Sequence, residues 1–129
     1  MKESVIATKS FLFAIGAVEL YKTIIKRQKE FVMSKQLLRS RTSVGANIDG
    51  AAGSISKREF IAKMHISCKE VHESIFCVRL LRETNFINES EHKKMKGMAE
   101  EITKIMYSIL KTSKLNTRQF FHSYIFSSK

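Results

Sequence analysis

The sequence predicts an all-α protein, an antiparallel up-down four-helix bundle. Two observations carry that prediction. Pro is absent and Gly occurs five times in 129 residues, so little in the chain interrupts a helix. Apolar residues recur at steps of three and four in four successive segments, which is the spacing of one helix face. At this length the chain makes one domain with a core large enough to need no staples.

The first helix is placed at about residues 4–28. Phe11, Ala14, Ile15, Val18, Tyr21 and Ile25 form its apolar face, which Leu12, Leu20 and Ile24 widen. Gly16 costs about 1 kcal/mol in mid-helix relative to Ala and so marks a close helix crossing. The polar run Lys26-Arg27-Gln28-Lys29-Glu30 contains neither Gly nor Pro, and a short turn is placed there.

The second helix follows over about 32–52, presenting Met33, Leu37, Val44 and Ile48, and Gly50 and Gly53 mark its end. Between Arg39 and Gly50 its side chains thin. Ser43, Gly45, Ala46, Asn47 and Asp49 are small or polar, which lets another backbone approach, and they form a helix-packing and assembly motif.

Ser56-Lys57-Arg58-Glu59 reads as a capping box that starts the third helix, about 56–84. Met64, Cys68, Val71, Ile75 and Val78 form its seam, led in by Ile61. A second apolar row, Ile66, Cys77, Leu80 and Leu81, gives this helix surface enough to face both its own bundle and another subunit. Asn88 and Glu91 repeat the cap logic for the fourth helix, about 89–111, with Met95, Met98, Ile102, Ile105 and Ile109 as seam and Ala99 and Met106 beside it. Glu89, Glu91, Glu100 and Glu101 lie in its first half and Lys111 and Lys114 close it, the order of signs that suits the helix dipole. The bundle is assigned to 1–114. Residues 115–129 form an aromatic and basic tail without a clean period, for which packing back on the bundle, fraying and contact with a partner all stay open.

Lys and Arg outnumber Asp and Glu by 23 to 12, a net charge of +11, and the resulting field attracts polyanions. Nucleic acid is therefore the first candidate partner. Lys35, Arg39 and Arg41 precede the thinned stretch and Lys57 and Arg58 follow it. A hairpin around Gly53 can bring the two groups to one end or edge, where they would bind phosphates without reading bases. Scattered solvated charge is the alternative.

Signatures of catalysis are missing: there is no Gly-rich phosphate loop with a following Lys, no paired CxxC, no HExxH and no GxSxG. His65, Cys68 and His72 share a helix, yet no second Cys or His pair completes a four-ligand zinc site, and Cys68 belongs to the apolar seam. No metal and no cofactor is expected. Glu70 and Glu73, one turn apart, are read as ordinary surface pairs of Lys63, Lys69 and Lys104, and Ser40, Thr42 and Ser43 have no nearby His to activate them. No catalytic residue is assigned and the chain is read as non-enzymatic. Cys68 and Cys77, nine apart on one helix, point to opposite sides and read as reduced thiols. With neither a signal-peptide pattern nor an apolar run near the ~20 residues of a membrane span, a cytoplasmic protein is expected.

The run Arg39 to Gly50, then Glu59-Phe60, then Lys69-Glu70-Val71-His72-Glu73-Ser74 and Leu80-Leu81-Arg82-Glu83-Thr84, resembles the bacterial four-helix bundle family named for proteins encoded in intervening sequences of 23S ribosomal RNA genes. That family also includes the accessory variability proteins of diversity-generating retroelements. The likeness spans about residues 30–111. Where the family has Ala-Glu after Asn-Ile this chain has Asp49-Gly50, and where it has Trp this chain has Cys77. The resemblance implies a four-helix bundle without enzymatic activity, commonly a ring-shaped homopentamer. Retroelement members imply nucleic-acid-binding adaptors that work with a reverse transcriptase.

Overall fold

In the computed structural model, residues 5–112 are described. They form four α-helices: α1 (Val5–Gln28), α2 (Val32–Ala52), α3 (Lys57–Glu83) and α4 (Glu89–Thr112). At 1.5 Å per residue each is about 30 Å long or more. The connections 29–31, 53–56 and 84–88 are too short to run back along such a helix, so successive helices are antiparallel. Each helix packs on the next and α1 also meets α4, which closes the four-helix bundle. The α2–α3 interface is the most extensive, and the two made by α4 are the thinnest. The tail 115–129 lies outside the described residues.

The helix ends explain why the chain turns where it does. The turn after α1 has no Gly. Lys29 itself takes the left-handed conformation, φ 53°, and ends the helix. Glu30 then caps α2: its carboxylate accepts the backbone N–H groups of Val32, Met33 and Ser34 at 2.9, 2.8 and 2.8 Å. Burial pushes the Glu30 carboxyl up, but these donors outweigh it and hold the group below the ordinary carboxylate range.

At α3 the Ser56 hydroxyl accepts the Glu59 N–H at 3.1 Å, and Glu59 in turn accepts the Ile55 N–H at 3.5 Å. The α3 C-terminus closes with Asn85 at φ 65°. There Phe86 N–H donates to Leu81 O at 2.9 Å and Asn85 N–H to Arg82 O at 3.1 Å, a Schellman pair. The cap of α4 is fully reciprocal, Glu91 N–H to Asn88 Oδ1 at 2.8 Å and Asn88 N–H to Glu91 Oε1 at 2.9 Å. Arg27, in the last turn of α1, ties that end down through both Glu91 oxygens at 3.2 Å and the Phe86 carbonyl at 2.7 Å.

The core divides into two apolar clusters. One holds Phe13, Val44, Phe60, Met64, Ile102 and Met106 among others. The second, toward the α1–α2 turn, holds Leu20, Ile24, Leu37, Val78, Leu81 and Met95. Seams of α2, α3 and α4 enter these clusters largely at the spacing the sequence predicts. On α1 the face is different. Ile6, Phe13, Ala17, Leu20 and Ile24 are buried, with Ser10 and Gly16, while Phe11 is 66% and Leu12 46% exposed. The expected row through Phe11, Ile15 and Val18 faces outward, because Phe11 to Ile15 is an unbroken apolar run and periodicity does not choose a side. On α3 the second row splits similarly, Cys77 and Leu81 turning inward and Ile66 and Leu80 outward.

Candidate functional site

The five basic residues singled out in the sequence have different fates. Arg41 is fully buried, so the expectation that it binds phosphate is corrected. Its guanidinium lies 3.7 Å over the Phe13 ring, donating through Nε to Ser74 Oγ at 2.9 Å and through Nη2 to the Met95 carbonyl at 2.7 Å. Burial pushes its pKa down to about 9, which leaves it charged at neutral pH. Its neighbours are neutral acceptors and an aromatic face, not carboxylates. Arg41 sits in an apolar helix face of α2, and the sequence pattern underweighted that position because arginine is rarely buried unpaired.

Arg39 lies on the surface but is engaged. Its two Nη atoms reach Glu70 Oε2 at 3.3 Å and Glu73 Oε1 at 3.1 Å. Gln36 also donates to Glu73, at 3.3 Å. The two α3 carboxylates are thus tied to α2, not paired with Lys63, Lys69 and Lys104 as expected. Burial and the Glu73 charge raise the Glu70 carboxyl above its ordinary range against the pull of Arg39. Lys35 and Arg58 are exposed and Lys57 half-buried. Lys35 stands near the start of α2 and Lys57 and Arg58 open α3 at the far end, about 25 Å apart along the bundle by helix rise. The hairpin does not gather the two groups.

Gly45, Ala46 and Asp49 of the small-residue motif sit on the α1 side of α2. A Cβ on Gly45 would lie 3.4 Å from the Ser10 carbonyl and 3.9 Å from Ala14 Cβ, so the close neighbour is α1, not α3. Asn47 bonds back to Ser43, to its carbonyl at 2.9 Å and its Oγ at 3.2 Å. Ala46 and Asp49 are exposed and line, with Phe11 and Thr42, a groove of about 400 Å³ between α1 and α2.

A larger groove, about 470 Å³, opens between α3 and α4. Its floor is apolar, with Val78, Met95 and Ala99, and its rims are basic: Arg79 on α3, His92 and Lys96 on α4. Arg82 closes one end through its 3.3 Å pair with Glu89, and Glu83 is the other acid on the lining. The signal in the sequence was Arg79 and Arg82 three apart facing His92 and Lys96 four apart, but it takes the α3–α4 pairing to bring the two rims together.

Among the described residues no three His, Cys, Asp or Glu side chains gather where they would hold a metal ion. His65 and His72 are exposed, whereas Cys68 points inward with Sγ 4.0 Å from Met106 Sδ. Burial pushes both thiols up, with Glu73 adding to the effect at Cys77, so neither is an activated nucleophile. No helix among the described residues is long and apolar enough to cross a membrane.

The fold and these surfaces define a basic four-helix bundle whose polar clusters are ties between helices. Residues 2–108 match the model of the 23S rRNA-intervening sequence protein family, and the chain belongs to that family. A crystal structure at 1.70 Å of a protein of unknown function from the S23 ribosomal protein family of Bacteroides thetaiotaomicron VPI-5482 is similar, with 43% sequence identity and a TM-score of 0.81. The likeness covers 83% of this chain and 99% of that one. No curated protein matches the chain.

Proposed function

We propose that this protein is a non-enzymatic, homo-oligomeric, cytoplasmic bundle that binds RNA or DNA through contacts of basic side chains with phosphates. The observation that carries the reading is the charge. With 23 cations and 12 carboxylates, pairing every acid still leaves eleven cations, and with Arg41 buried ten of them remain for an outside anion. Lys35, Arg58, Arg79 and Lys96 stand exposed on the bundle, whereas Arg39 reaches a phosphate only by leaving Glu70 and Glu73.

The test is an anisotropy titration with labelled RNA and DNA at about 50 and about 200 mM salt. Binding that weakens along a straight log–log line supports phosphate contact, and absence of binding at the lower salt overturns it.

A second reading is a protein-interaction subunit, such as an accessory to a reverse transcriptase, whose charge is incidental. Phe11, Leu12, Ile15 and Val18 on α1 and Phe76 on α3 favour it, being apolar side chains left at the surface. A pull-down that retains a protein partner after nuclease treatment, from a protein that binds no nucleic acid, would select this reading. The five-membered ring rests on family resemblance.

A further inference from the structure

We infer that the groove between α3 and α4 is a seat for an unpaired nucleotide, so that the preferred ligand is single-stranded nucleic acid over a duplex. The inference rests on the nucleic-acid reading above and names its site and ligand class.

Three observations converge. The groove holds about 470 Å³, within the ~300–1,000 Å³ range of small-ligand pockets, so a base with its sugar fits. Its floor of Val78, Met95 and Ala99 is apolar and offers a base relief from water that a phosphate does not need. Its rims supply charge complementarity. Arg79 and Lys96 are exposed on opposite helices, and His92 and Arg79 are planar groups on which a base can stack.

The acids on the lining do not cancel this. Glu89 is held by Arg82, which leaves Glu83 as the other acid on a lining that also carries Arg79, Lys96 and His92. Duplex nucleic acid presents phosphates outward and keeps its bases stacked, so it would use the rims and leave the floor empty. A single strand uses both.

The test uses the full chain with a short fluorescein-labelled oligouridylate and with the same strand annealed to oligoadenylate. Arg79→Glu/Lys96→Glu is compared with Lys22→Glu/Lys26→Glu, an equal charge change among exposed α1 positions. The groove pair is expected to weaken single-strand binding by about tenfold beyond the α1 pair. On methyl-labelled methionine, the oligomer is expected to move the Met95 signal in the unaltered protein, which keeps the test independent of how the variants fold.

Equal losses from the two pairs, an unmoved Met95 signal, or a duplex bound as tightly as the single strand would overturn the groove while leaving phosphate binding standing. Failure of the unaltered protein to bind either probe would instead remove the parent reading, and the groove's occupant with it.

Discussion

Arg41 shows how one residue departs from what its type suggests. A free guanidinium is costly to bury, and here three polar acceptors and an aromatic face offset that cost without an opposing charge. Truncation tests the account. Arg41→Ala is expected to cost about 3 kcal/mol or more, from the cavity and from the lost ties to Ser74 and Met95. Arg41→Met keeps the volume and removes the charge, and is expected to cost clearly less. Urea unfolding of the pair is the measurement, and a Met variant as unstable as the Ala variant would show that the hydrogen bonds, not the packing, dominate.

At the scale of elements, helix starts were legible where they used the common signals. Ser56 and Asn88 each precede a Glu by three, and both cap as that pattern demands. The start of α2 falls at Val32 as placed from the sequence, but its cap was not legible, because Glu30 supplies it from two residues before the first helical position. Glu30→Ala is expected to cost about 1 kcal/mol at pH 7.

The sign with pH follows from the lowered carboxyl. Its contribution is present in full above the ordinary value of 4.5 and is lost as pH falls through the folded-state value below it. Thermal melts of the two proteins should therefore converge on acidification below pH 4.5, and a gap that persists there would exclude the carboxylate as the cap. The face of α1 was illegible for a different reason. Phe11 through Ile15 are apolar all round, and what selects Phe13 is the closeness of Gly45 to Ser10 and of Gly16 to Met98, a tertiary fact.

For the whole molecule, the bundle and its family were readable from period and motif, whereas the arrangement of charge was not. Lys35 and Arg58 lie at opposite ends of the α2–α3 hairpin, and Arg79 and Lys96, on different helices, share a groove. Assembly is a property of this scale too. Phe11, Leu12 and Ile15 would be covered in a homo-oligomer that uses α1. Light scattering is then expected to give a multiple of 14.8 kDa for the unaltered chain and a smaller species for Phe11→Glu/Leu12→Glu. A single 14.8 kDa species from both would remove the oligomer from the reading.

The buried contacts of Arg41 with Phe13 of one apolar cluster and Met95 of the other bear on how the helices choose their alignment. Apolar seams alone tolerate a slide of one helix past another by a turn, since each side chain meets an equivalent neighbour. A guanidinium that needs Ser74 on α3, Met95 on α4 and Phe13 on α1 at once is satisfied in one axial setting. Arg41 is therefore expected to act as a register pin, giving the bundle uniqueness of packing from the residue whose burial is hardest to justify on stability alone.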